Sequence, residues 1–186
     1  MAKNDIKLIW QDIEKWLNKN APDRASELMP GADDVEIAKV AKITGYSLPD
    51  DYAESLGVHD GEADLSDYTY LSIETAMDTW KRLKKLEQEG AFADRSIDDP
   101  KTKTIKPVWW HSAWFPFAKD SGGNLFCVDL EPGPQGTRGQ VVRFERSMGP
   151  ATTEWQSFTK WLCDYRDRLH DGTYAVDEDG FIQDAS

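Results

Sequence analysis

The residues that could form a hydrolase site are His111, Asp120 and Ser121, which lie close together in the sequence. Nucleophilic catalysis needs a Ser or Cys beside a His base that an acid orients. The stretch from Asp120 to Gly123 (Asp-Ser-Gly-Gly) is also typical of a tight turn between strands, in which Asp and Ser bond the backbone and Gly adopts positive φ. The sequence favours the turn and keeps a hydrolase as a weaker hypothesis.

No pattern in the sequence is typical of a metal or phosphate site. The three histidines lie in separate segments, and Cys127 and Cys163 stand apart among apolar neighbours, as buried thiols do. The glycine-rich segment 133–139 precedes a predicted strand, whereas a phosphate loop needs a helix N-terminus. We therefore predict no metal, no cofactor and no catalytic residue.

An acidic block free of Lys and Arg extends from Ile43 to Trp80. It could attract a basic protein partner, or it could simply keep the surface soluble. The carboxylates predicted to bind a partner are Asp50, Asp51, Glu54, Asp60, Glu62, Asp64 and Asp67.

Aromatic residues are concentrated between Trp109 and Phe117. Single-stranded nucleic acid would need a positive groove beside such rings, and the net charge of −12 argues against direct nucleic-acid binding. Alternating aromatics more often fill a core, but one or two left outside would make interface anchors. Trp110 and Trp114, together with Asp120, complete the predicted partner-binding set.

Helices are predicted from apolar residues at helical spacing and from capping residues. The predicted starts lie at or near Ile6, Asp33, Pro49, Ser72 and Thr153, with capping boxes of Asp33 with Glu36 and of Thr153 with Gln156. The second helix is expected to turn Val35, Ala38, Val40, Ala41 and Ile43 roughly inward.

Strands are predicted at 68–71, 108–118, 124–130 and 140–144, where β-branched and aromatic runs alternate with Gly- and Pro-rich turns. The order of helices, sheet and final helix predicts an α+β fold, with an antiparallel sheet flanked by N-terminal helices and a closing C-terminal helix. Residues 90–107 are expected to form an exposed loop insertion, and the acidic tail 171–186 to fray or to form a small hairpin.

Length and composition predict one globular domain over residues 1–170. The chain has 186 residues, of which 39% are hydrophobic and 30% charged, enough for one well-filled core and a solvated surface. Charges interrupt every apolar run, so we predict neither a secretory signal nor a membrane span, and we expect a cytoplasmic protein.

Two blocks of sequence together resemble the SUKH superfamily. The first extends from Asp33 to Gly61 and includes Leu48-Pro49 and His59-Asp60-Gly61. The second begins at Trp114, includes Asp120-Ser-Gly-Gly-Asn124, Cys127-Val-Asp129-Leu130 and Gly139-Gln-Val141, and closes with a helical segment at 157–162.

This resemblance implies an antiparallel sheet flanked by helices and no enzymatic activity. Bacterial members look like antidotes that bind a toxin, and fungal members look like regulatory scaffolds in cell-wall synthesis. Because the acidic block suits a basic groove, we predict an immunity protein that neutralises a cognate toxin, and a nuclease is the toxin we expect. A scaffold in cell-wall regulation is the alternative, and the oligomeric state is not predicted.

Overall fold

A computed structural model describes residues 5–95, 97 and 103–185 of the chain. The helices are α1 Ile6–Asn20, α2 Pro22–Glu27, α3 Asp34–Thr44, α4 Asp50–Leu56, α5 Ile73–Gln88 and α6 Phe158–Asp171. The strands are β1 Ala63–Asp64, β2 Tyr68–Tyr70, β3 Trp114–Asp120, β4 Leu125–Asp129, β5 Val141–Glu145, β6 Gly149–Thr152, β7 Tyr174–Val176 and β8 Ile182–Asp184.

Strands β1 to β6 form one antiparallel sheet in which every strand pairs with its neighbours in chain order. Helix α5 connects β2 to β3, tight turns join β3 to β4 and β5 to β6, and a longer connection, residues 130–140, joins β4 to β5. Helices therefore precede, interrupt and close an antiparallel sheet, which confirms the predicted α+β fold.

The two faces of β3 carry different aromatic clusters. Phe117 packs against Tyr52 of α4 and Phe158 of α6, with ring centroids 5.9 and 5.2 Å away, so these helices cover one face. Side-chain alternation along a strand places Trp114 on the opposite face. There Trp110 packs edge-on against it at 5.8 Å. The core thus lies on both sides of the sheet.

Two of the predicted helix N-caps are confirmed. Asp33 and Glu36 form the expected capping box of α3, and Ser72 caps α5 by accepting from the backbone N–H of Thr75. The predicted box at Thr153 is wrong. Thr153 instead donates to the carbonyl of Val141, and α6 begins after Ser157, which provides its N-cap.

Several other predictions are corrected by packing. Val35 and Ile43 of α3 are 63% and 52% exposed, because α3 lies at the surface and chiefly Val40 faces inward. The strand predicted from residue 108 begins at Trp114, and neither α2 nor β6 was predicted. These elements are short, so their sequence periodicity is weak.

The segment predicted as an exposed insertion, residues 90–107, is partly a covering for the core. Ile105 is 2% exposed, and Ile97 also packs against the hydrophobic core. The carbonyl of Thr104 accepts from the backbone N–H of Gly133, which joins this segment to the β4–β5 connection. Residues 96 and 98–102 of the predicted loop lie outside the described residues.

The tail takes the second of its two predicted forms, a hairpin. Strands β7 and β8 pair antiparallel, and Ile182 is 3% exposed. The guanidinium of Arg24 lies 4.9 Å from the centroid of the Phe181 ring, and that of Arg168 lies 5.7 Å from the Tyr174 ring. These contacts hold the hairpin against α2 and α6.

Candidate functional site

Two carboxylates of the acidic block accept hydrogen bonds from the N-termini of helices. Asp51 Oδ2 accepts from the backbone N–H of Thr159 at 2.9 Å and from its hydroxyl at 2.8 Å. Asp60 Oδ1 accepts from the backbone N–H of Ile73, the first residue of α5, at 2.8 Å. Burial raises the pKa of Asp60 above its ordinary value. Both side chains therefore stabilise helix N-termini inside the fold.

Glu62 and Asp64 are also engaged internally. Burial alone would raise the pKa of Glu62, but hydrogen bonds from Ser72 and Thr75 outweigh it and lower the pKa. The Ser72 hydroxyl donates to Glu62 at 2.6 Å, and the Thr69 hydroxyl donates to Asp64. These carboxylates connect the β1 region to β2 and the start of α5.

Asp50, Glu54 and Asp67 remain free on the surface. All three are exposed, and within the described residues none has a hydrogen-bond or ion-pair partner. Asp50 and Glu54 lie one turn apart on the outer face of α4. The acidic block thus combines structural carboxylates with a smaller set that a partner could reach.

Trp110 and Trp114 do not form surface anchors in this structure. They are 2% and 0% exposed, because the sheet and the segment before it enclose both rings. Asp120 accepts from the backbone and side-chain amides of Asn124, both at 2.8 Å. Asp120 therefore supports the β3–β4 turn, and the two tryptophans belong to the core. The sequence had suggested both of these roles as alternatives to partner binding.

The hydrolase constellation is not assembled. His111 precedes β3 and Ser121 follows it, so the length of the strand, about 20 Å, separates them. His111 Nδ1 accepts from the backbone N–H of Ala113 at 3.1 Å, and burial lowers the pKa of the imidazole. This geometry cannot support proton transfer between Ser121 and His111.

Within the described ranges, no group of three or more His, Cys, Asp and Glu side chains is arranged to hold a metal ion. None of the helices described here is long and apolar enough to cross a membrane.

A surface groove of about 630 Å³ lies where α3 meets α4 and the start of α1. The backbone N–H of Ala32 donates to the carbonyl of Leu56 at 2.9 Å, which brings the segment before α3 against the end of α4. Gly31 permits this contact, since a Cβ there would lie 2.1 Å from the carbonyl oxygen of Gly57. The groove is lined by Lys7, Ala32, Asp33, Asp34, Ile37, Ala38, Ala53, Glu54 and Gly57.

The groove is lined by both apolar and charged residues. Small residues and half-buried Ile37 form its apolar part, while the three carboxylates of Asp33, Asp34 and Glu54 outnumber the single ammonium of Lys7. Asp33 Oδ1 bonds the N–H of Glu36 as the N-cap of α3, whereas the exposed Asp34 has no partner among described residues. A segment with basic and apolar side chains is complementary to this surface.

Of the predicted partner-binding residues, Glu54 alone lines this groove. Asp34, Ile37 and Ala38 were missed, because the apolar spacing of α3 was interpreted as a core face. The weak signal that could have revealed them is the irregularity of that spacing, which leaves no single apolar stripe.

A family model described as "SMI1 / KNR4 family (SUKH-1)" matches residues 31–164, which include most of the groove and the whole six-stranded sheet. The chain belongs to this family. The membership confirms the resemblance noted in the two sequence blocks.

Curated relatives of this SMI1/KNR4 family protein include three fungal regulators. It is 28% identical to "Cell wall biosynthesis/cell cycle regulator smi1" of Schizosaccharomyces pombe, over 91% of this chain and 37% of the relative. The identity is 26% to "Glucan synthesis regulatory protein" of Neurospora crassa, over 91% and 39%. It is 25% to "Cell wall assembly regulator SMI1" of Saccharomyces cerevisiae, over 92% and 42%.

The chain therefore spans about two fifths of the length of these relatives. Their names describe regulators of wall synthesis, so the comparisons favour the alternative prediction over the toxin antidote. Toxin neutralisation stays a prediction, since none of these names describes it.

Proposed function

We propose that this chain is a non-catalytic protein-binding domain that acts in the regulation of cell-wall synthesis. The observation that carries the proposal is family membership, together with relatives named as wall and glucan regulators. The separation of His111 from Ser121 removes the one catalytic arrangement that the sequence suggested.

The surface proposed to bind the partner is the groove between α3 and α4. Its occupant is a basic segment of a protein partner that carries a few apolar side chains. Asp34 and Glu54 are unpaired and exposed at the groove, so they can pair with Lys or Arg without breaking any internal bond of the described residues. The net charge of −12 would also speed the encounter with a basic protein.

The test replaces the matching segment of the S. pombe relative with this chain and measures cell-wall glucan and resistance to wall-digesting enzyme. We expect the wild-type chimera to restore both in cells lacking the relative. The double variant Asp34→Asn/Glu54→Gln should restore less, because the groove loses two charges. Glu154→Gln/Glu178→Gln is the matched control, since both residues are exposed and lie outside the groove.

The outcomes separate the two parts of the proposal. Failure of a well-expressed wild-type chimera would contradict the role in wall regulation. Full restoration by Asp34→Asn/Glu54→Gln would leave that role standing and reject the groove. If the chimera failed and the chain protected bacteria from a co-expressed basic nuclease toxin, the antidote prediction would replace the regulatory one.

A further inference from the structure

The outward face of α3 carries two large apolar side chains that solvent reaches. Val35 is 63% exposed and Ile43 is 52% exposed, while Val40 is buried on the other side of the helix. The other large apolar residues that are exposed in the described part of the chain, such as Leu8 and Met148, belong to different elements. Among the described helices, α3 therefore has the exposed apolar pair, and such a patch on a monomer marks an interaction surface.

Three exposed charged residues share this face of α3. Residues four apart are neighbours on a helix, so Lys39 lies between Val35 and Ile43. Residues seven apart lie nearly in line along the axis, which places Lys42 in line with Val35 and Glu36 in line with Ile43. The ammonium groups of Lys39 and Lys42 have no hydrogen-bond or ion-pair partner among the described residues. Glu36 uses Oε2 in the capping box, and its Oε1 accepts no hydrogen bond from the described chain.

The order of these five residues makes the face complementary to itself. Val35 and Ile43 each lie four positions from Lys39, and Glu36 and Lys42 each lie three positions from it. When two copies of α3 pack antiparallel across a two-fold axis at Lys39, Val35 of each copy meets Ile43 of the other. In the same arrangement, Glu36 of each copy meets Lys42 of the other. A two-fold interface requires this property, because one surface patch must fit an identical patch.

Electrostatics permits this pairing even though the chain is strongly acidic. The two Glu36–Lys42 contacts join opposite charges, and the long side chain of Lys39 can turn from the axis toward Glu36 of the second copy. The net charge of −12 makes two chains repel each other. At an ionic strength of about 0.15 M the Debye length is about 8 Å, so this long-range repulsion is largely screened while the contacts within the interface remain.

A groove beside α3 offers an apolar seat to the second copy. It lies between α3 and α5 and has a volume of about 300 Å³. Val40, Ile43, Ile73 and Met77 form the apolar part of its lining, and charged residues of both signs complete it. Because Val35 of the second copy meets Ile43 in the antiparallel pair, its side chain lies against this groove. Burial of these apolar groups favours the association.

We propose that this chain forms a two-fold symmetric dimer in which α3 packs antiparallel against α3 of a second copy. A helix of 11 residues is about 16 Å long, so the buried area is at the low end of the range for specific interfaces. The dimer is therefore weak, with a dissociation constant on the order of 100 μM. This interface uses the side of α3 toward α5, whereas the partner-binding groove lies toward α4, so the dimer does not rest on the proposed function.

The experiment measures the association of the full chain by sedimentation equilibrium, from about 10 μM to about 1 mM protein in about 0.15 M salt. Ile43→Ser removes an apolar contact from each half of the dimer. Met148→Ser is the matched control, since Met148 is 74% exposed and lies in the β5–β6 turn, outside α3. The charge pairs are tested by Glu36→Lys, by Lys42→Glu and by the combination of both. Circular dichroism checks that each variant keeps its helices.

We expect wild type and Met148→Ser to show the same monomer–dimer equilibrium, and Ile43→Ser to associate about tenfold more weakly. Each single charge reversal should weaken the dimer, and Glu36→Lys/Lys42→Glu should restore it, because both pairs are then reversed together. A wild type that stays monomeric at every concentration would overturn the proposal and leave this face of α3 to a different protein. Equal association of Ile43→Ser and wild type would also overturn it. A folded double variant as weak as the single ones would reject the antiparallel pairing.

Discussion

Asp51 at the start of α4 accepts two hydrogen bonds from Thr159 in the first turn of α6, 108 residues away in sequence. The neighbouring Asp50 is exposed and has no partner in the described structure. Two adjacent aspartates therefore have different roles, one inside the fold and one facing solvent.

This difference predicts unequal effects of the same substitution. Asp51→Asn should lower the free energy of unfolding by about 1 to 3 kcal/mol, because it weakens two charge-assisted bonds to α6. Asp50→Asn should change it by less than about 1 kcal/mol, through the helix dipole alone. Urea denaturation of both variants measures this, and equal losses would contradict the assigned role of Asp51.

The second prediction concerns a buried hydrogen-bond chain. Ser55 is 0% exposed, accepts from Trp10 Nε1 at 2.8 Å and lies 3.2 Å from the Tyr70 hydroxyl. Ser55→Ala should cost about 2 to 4 kcal/mol, because two buried polar groups lose their partner. Ser121→Ala, in the exposed β3–β4 turn, is the control and should change stability by less than about 0.5 kcal/mol. Comparable losses in the two variants would refute the importance of the chain.

The third prediction concerns pH. Burial raises the pKa of Asp129 from 3.8 to about 6, although hydrogen bonds from Gln140 and the backbone of Glu131 oppose the shift. The folded state thus binds the proton of the Asp129 carboxyl group more tightly than the unfolded state does. Its stabilising effect is complete below pH 3.8, declines as pH rises, and is lost above about pH 6.

The check compares wild type with Asp129→Asn, which cannot titrate. Between pH 4 and 7 the unfolding free energy of the wild type should fall relative to the variant by about 2 to 3 kcal/mol. Chemical denaturation at several pH values gives both curves. Parallel curves would show that Asp129 does not titrate with a raised pKa.

The fourth prediction concerns two glycines with positive φ. Gly45 ends α3 at φ 84° in open space, whereas a Cβ on Gly61 (φ 68°) would lie 2.1 Å from the carbonyl carbon of Leu71. Gly45→Ala should cost about 1 kcal/mol from backbone strain alone. Gly61→Ala should cost well over about 3 kcal/mol, since the backbone must also move. Thermal unfolding distinguishes them, and equal melting temperatures would contradict the close approach.

Features that depend on residues close together in the chain could be predicted from the sequence. The cap of α3 by Asp33 and that of α5 by Ser72 involve residues three positions apart, so their types and spacing suffice to predict them. The β-branched and aromatic runs between Gly- and Pro-rich turns likewise predicted the central strands, and the order of helices and sheet predicted the α+β fold. The resemblance of two sequence blocks predicted the family, and the match to the family model confirmed it.

Which side chains remain available to partners depends on the packing of the folded chain. Asp50 and Asp51 are identical in type, and only the arrival of Thr159 distinguishes them. Trp110 and Trp114 are buried in the core because the sheet and the segment before it enclose their rings. The groove is lined by residues of α1, α3 and α4, which lie far apart in the sequence. Such sites depend on contacts between segments far apart in the chain, which no local pattern encodes.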